Sequence, residues 1–129
     1  MVDLGLSGKR LQSTTREYTL VLQLSDGHFI VVSSPLVVEF DATRTCLSPE
    51  EDSDDAFEPI RRLIGHTVAT AIADATGVLD VTFEGGARLH VEPDPAYEAW
   101  NVSGPNGALV VSMPGGELAV WRADPEANG

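Results

Sequence analysis

Along residues 20–32 the side chains alternate in character. Leu20, Leu22 and Leu24 fall on one side of an extended chain, Ser25-Asp26-Gly27 interrupts, and Ile30 and Val32 resume the alternation. A period of two is that of a strand with one buried face. An Asp-Gly pair between two such runs marks a hairpin corner, because glycine takes the positive φ the turn requires. Leu36–Phe40, after Pro35, reads as a further strand. The same device recurs later: Leu79, Val81 and Phe83 share a face, Gly85-Gly86 makes the corner, and Leu89 and Val91 return. At an offset of 59 residues, Leu20, Leu22, Leu24, Gly27, Ile30 and Val32 fall on Leu79, Val81, Phe83, Gly86, Leu89 and Val91, and Glu39 falls on Glu98. With a two-residue gap, Gly8 and Leu11 match Gly65 and Val68. Segments 8–40 and 65–100 can therefore be read as an internal repeat, or as two hairpins that align only because all period-two patterns do.

Between these segments lies LSPEEDSDDAFEPIRRLIG. Ser48, Pro49 and Glu51 resemble a capping-box start, but 48–56 is too acidic to pack and reads as a solvated loop. Phe57, Ile60 and Ile64 follow at helical spacing with Gly65 as a stop, predicting one short helix over 56–64. HTVATAIADATG suits helix or strand; its β-branched Thr67, Val68, Thr70 and Ile72 decide for strand. The end of the chain predicts a three-stranded meander, YEAWNV, ALVVSM and ELAVWR, turning at residues 104–107 and 114–116, with a disordered tail over 123–129. The fold expected is a single mainly β domain, β-rich α+β, with antiparallel hairpins forming a sandwich or half-barrel and one short helix.

Charge narrows the function classes. Lys and Arg number 8 against 20 Asp and Glu, a formal net charge of −12, so a phosphate backbone is a poor partner. A basic protein partner suits that charge better, and an edge strand offers a route to a homodimer. Cys46 is the single cysteine, which excludes an internal disulfide and suits a reducing, cytoplasmic setting. No apolar stretch reaches the roughly 18 residues of a membrane-spanning helix, and no phosphate-loop, dinucleotide or nucleophile-elbow motif is present, so no cofactor is expected.

Residues 59–122 carry a resemblance. PIRRLIGHTV leads into LDVTFEGGARLHVEP, then EAW, then PGGELAVW. These marks resemble an actinobacterial family of small stand-alone proteins of unknown function. The resemblance implies fold kinship and a bacterial origin and supplies no catalytic residues. Proteins of this size and acidity include toxin-neutralising ones, which makes an immunity-like role an analogy.

Candidate chemistry is sparse. Trp100 and Trp121 are either core filling or binding anchors. Glu98 and Glu117 flank them and, with Glu39, would do acid/base work only if brought together. His28, His66 and His90 lack zinc-site spacing; a site would require His66 and His90 to meet near Asp80 or Glu92. The acidic run Glu50, Glu51, Asp52, Asp54 and Asp55 lacks the glycine and terminal glutamate of a calcium loop, so no metal is expected. Two functions compete. One is a non-enzymatic interaction module using the acidic run. The other is a small-ligand binder or minor hydrolase with Glu98, Trp100 and His90 in a cleft between the halves.

Overall fold

The computed structural model describes residues 1–122; the tail expected to be disordered lies outside them. Twelve strands run β1 Val2–Asp3, β2 Leu11–Arg16, β3 Leu20–Leu24, β4 His28–Val32, β5 Leu36–Phe40, β6 Thr43–Leu47, β7 Val68–Ala73, β8 Leu79–Phe83, β9 Arg88–Val91, β10 Trp100–Ser103, β11 Leu109–Ser112 and β12 Leu118–Trp121. They form two antiparallel six-stranded sheets. Sheet I has the order β1-β7-β8-β9-β5-β6, and sheet II has β12-β11-β10-β4-β3-β2.

The period-two pattern dictates what lies between the sheets. Leu20, Leu22, Leu24, Ile30 and Val32 of sheet II are buried, as are Leu79, Val81, Phe83, Leu89 and Val91 of sheet I. Each such side chain removed from water contributes roughly 1.5–3 kcal/mol. The expected strand at 68–73 is present, as is the meander of the last three strands. The single helix α1, Glu58–Arg61, is shorter than the expected 56–64. Asp54–Phe57 winds as a 3₁₀ turn and Leu63, Ile64 and His66 continue in tight three-residue turns. Pro59 in the first turn provides no N–H to extend the ladder, and burial of Phe57, Ile60 and Leu63 holds this segment instead.

The connectivity exchanges hairpins between the sheets. The meander β2-β3-β4 lies in sheet II, but the following hairpin β5-β6 crosses to sheet I and pairs with β9. The meander β7-β8-β9 lies in sheet I, and β10-β11 crosses back to pair with β4. Where the two meanders begin, the bonding is reciprocal. Gly8 N–H donates to the Val68 carbonyl at 2.8 Å and Gly65 N–H to the Leu11 carbonyl at 2.8 Å. Val68 N–H donates to Lys9 O at 2.7 Å and Leu11 N–H to His66 O at 2.9 Å. The pairing also slips at the same place in each meander, between Leu11 and Ser13 and between Val68 and Thr70.

This pairing changes one correspondence drawn from the sequence. Leu36 lies opposite Val91 and Trp100 opposite Val32, so Leu36 and Trp100 occupy matching places. Glu39, opposite Arg88, then matches Ser103, opposite Phe29, and not Glu98. The offset grows from 59 to 103 − 39 = 64 because the second segment spends extra residues on the loop before β10.

Candidate functional site

Trp100 is core. Its ring is 1% exposed, and the indole Nε1–H donates to the Gly77 carbonyl at 2.9 Å, an oxygen that also accepts from Ser112 Oγ at 3.2 Å. Gly77 in turn packs against Gly116. A Cβ on Gly77 would lie 2.5 Å from the Gly116 Cα, and one on Gly116 would strike the Thr76 carbonyl oxygen. The Gly-Gly corner before β12 is therefore a docking joint between two turns. Trp100 cannot line a cleft, which corrects its place among the binding candidates: a side chain that faces inward from a central strand has no solvent side. Glu98 is exposed, and neither it nor the exposed Glu117 makes an ion pair or side-chain hydrogen bond among the described residues.

Trp121 is different. It stands 53% exposed on β12, the edge of sheet II.

The histidines stay apart. His28 Nδ1 lies 3.2 Å from the Ser25 carbonyl, and His66 meets the edge of Phe40 at 5.8 Å between centroids. His90 sits on the outer face of sheet I between two carboxylates, with Nδ1 2.8 Å from Asp80 and Nε2 3.4 Å from Glu92. Partial burial pulls its pKa down, but the hydrogen bonds it donates to Asp80 and Glu92 outweigh that, and the net shift is upward from 6.5. Asp80 also accepts from Arg88 at 3.2 Å. A shallow depression of about 220 Å³ lies here, lined by Val37, Glu39, Arg44, Arg88 and His90. Cys46 is exposed on β6 opposite Val37, which itself lies opposite His90, so strand β5 stands between thiol and imidazole. No group of three or more metal-ligating side chains occurs among the described residues.

Two of the five side chains in the acidic run, Asp52 and Asp54, are engaged in the local structure. Asp52 accepts from Ser48 N–H at 2.6 Å, and Ser48 Oγ accepts from Glu51 N–H at 3.3 Å. Asp54 is ion-paired to Arg16 at 2.6 Å, and Arg16 also donates to the Pro49 carbonyl at 2.8 Å and lies over the Phe57 ring. Glu50, Glu51 and Asp55 remain exposed without an ion pair among the described residues.

The two outer faces differ in kind. The outward positions of sheet I include Asp3, Asp80, Arg88, His90, Glu39 and Arg44, and most are linked in salt bridges. On sheet II they form two rows across the strands: Thr15, Val21, Val31, Asn101, Val111 and Ala119, and Ser13, Gln23, Phe29, Ser103, Leu109 and Trp121. None of these is ionisable. For a chain with 22% charged residues this neutrality is a marked segregation. The sequence carries a signal for it, since VV, LVV and LAVW runs are apolar at both parities of the strand where simple alternation would place polar residues outward.

The molecule is thus a two-layer antiparallel β domain with one ionic outer face and one neutral, partly apolar one. The chain belongs to a family of unknown function, DUF6188, whose model matches residues 2–122. No curated protein and no solved structure matches it. No helix among the described residues is long and apolar enough to cross a membrane.

Proposed function

We propose that this protein is a non-enzymatic protein-interaction module whose binding surface is the outer face of sheet II. The observation that carries this reading is the absence of any ionisable side chain from the outward positions of that sheet, with Val21, Phe29, Val31, Leu109 and Trp121 among them. Partly exposed apolar area with a polar margin is the composition of an interface centre, from which charged residues are depleted. Among the described residues no nucleophile is seen in contact with a base, since Cys46 and His90 line one depression with strand β5 between them, and this supports protein binding over hydrolysis.

A second reading keeps the acidic run as the contact for a basic partner, through Glu50, Glu51 and Asp55, the side chains not engaged internally. The test separates the two. Partners recovered from extracts of the native organism with the wild-type chain should be lost with Val31→Lys, which places a charge at the centre of the neutral face. They should be retained with Thr82→Lys, on the outer face of sheet I. Retention with Val31→Lys, and loss on charge reversal of Glu50, Glu51 and Asp55, would move the site to the loop.

A further inference from the structure

Each sheet has two edges, and three of the four are guarded in the ways that keep β-sheets from pairing with one another. Strand β1 is two residues long and carries Asp3. Strand β6 presents Arg44 among hydroxyl side chains. Strand β2 is polar, contains the register slip between Leu11 and Ser13, and ends at Arg16, tied to Asp54 and Pro49 beside the helical segment. Strand β12 has none of these devices. Its four residues, Leu118–Trp121, are apolar on both faces, carry no charge, proline or slip, and leave Val120 50% and Trp121 53% exposed.

We propose that a second copy of this chain pairs with β12, antiparallel and about a twofold axis perpendicular to the sheet at Val120, joining two copies of sheet II into one twelve-stranded sheet. Two features favour a second copy over a foreign strand. A twofold antiparallel pairing makes each residue face a partner on the same side of the sheet, so Val120 meets Val120 and Trp121 lies opposite the mate's Ala119, a large ring beside a small side chain, in both halves at once. Second, a chain of net charge −12 repels its own copies least where its surface has no acids, which is this sheet. Self-pairing at the edge engages only Ala119 and Trp121 of the outer face, leaves Phe29 and Val31 open, and does not rest on the partner-binding reading. Three residue pairs within β12 bury less than the roughly 800 Å² per partner of a standard interface, which sets the expected dissociation constant in the micromolar range.

Sedimentation of the purified chain at about 100 μM tests this, a concentration above such a dissociation constant. The expected result is twice the chain mass of 13.7 kDa for wild type and the chain mass for Val120→Lys, whose two ammonium groups would face each other across the axis. A second measurement does not depend on that variant folding. In a Cys46→Ser background, Val120→Cys should cross-link to a dimer under a mild added oxidant, because residues directly opposed in an antiparallel pair lie about 4.5–5.5 Å apart at Cα, within disulfide reach. Wild type, with its exposed Cys46 on the β6 edge, should not cross-link. A monomeric wild type, a dimer undisturbed by Val120→Lys, or no faster cross-linking at position 120 than at Cys46 would each overturn the proposal. Failure here with intact partner capture through Val31 would leave the proposed function standing.

Discussion

Gly116→Ala should cost far more than an ordinary glycine substitution in a turn. Gly116 has φ +94°, where a side chain stores about 1–3 kcal/mol of backbone strain. Its new Cβ would also collide with the Thr76 carbonyl and lie 3.3 Å from the Pro93 side chain, so the 74–78 turn must retreat. That turn presents the Gly77 carbonyl to the buried Trp100 Nε1–H, and a buried donor left without a partner costs roughly 1–3 kcal/mol. The two effects together predict a loss of about 4 kcal/mol, out of a total that for a chain of this length is on the order of 10 kcal/mol. At roughly 3–5 °C per kcal/mol, the Tm should fall by about 10–20 °C. Gly85→Ala is the control: φ is +97°, but nothing lies within 4 Å of its Cβ, so only the backbone strain applies. Urea denaturation followed by fluorescence in a Trp121→Phe background reports Trp100 alone. If Gly116→Ala and Gly85→Ala prove equally costly, the docking of the two turns contributes nothing and the account of this corner is wrong.

Three further outcomes follow from the same contacts. His90 is held with its pKa above 6.5, so its contribution to stability is fully present below that value and is lost as pH rises through the folded pKa. At its partly exposed position this amounts to a few tenths of a kcal/mol, and the gap in urea midpoint between wild type and His90→Gln should therefore be wider at about pH 5.5 than at about pH 8.5. Asp74 is held below 3.8, first by the Thr76 hydroxyl at 2.7 Å and then by the backbone N–H of Val78 at 3.1 Å. Its contribution is present above that pH and lost as pH falls through the lowered pKa, so Asp74→Ala should destabilise by about 1 kcal/mol at neutral pH and by less in acid, measured by thermal melts across that range. Trp100→Phe removes the bond to Gly77 but leaves Ser112 on the same oxygen, so urea titration should show a loss of about 1–2 kcal/mol without a change in slope.

What the sequence made legible was local. Alternation in 20–24, 28–32, 79–83 and 88–91 revealed both hairpins, because a strand with one buried face must show period two and its turn must show glycine. β-branching decided correctly for strand at 68–73. The limits of the helix were less legible, since Phe57, Ile60 and Leu63 are buried whether the backbone winds as α or 3₁₀. Partnership across long separations was not legible at all. That β5 joins β9 and β10 joins β4 depends on which edges are free once each meander has formed, and no residue in either strand encodes it locally. That Asp52 and Asp54 are engaged locally while Glu50, Glu51 and Asp55 are not was not legible, because the groups they meet, the Ser48 backbone and Arg16, carry no charge or lie far off in sequence. The candidate site suffered most from composition. Tryptophans and glutamates attract notice, but Trp100 is filling, while the neutral face is marked by charges that are missing, and an absence has no motif.

The outer face of sheet II is the proposed partner surface. The most direct measurement is photo-cross-linking in living cells of the native organism, with a photoreactive phenylalanine analogue at Phe29 on that face and, separately, at Thr82 on the outer face of sheet I. A discrete protein adduct is expected from position 29 and none from position 82; an adduct from position 82 with none from position 29 would place the partner on the other sheet.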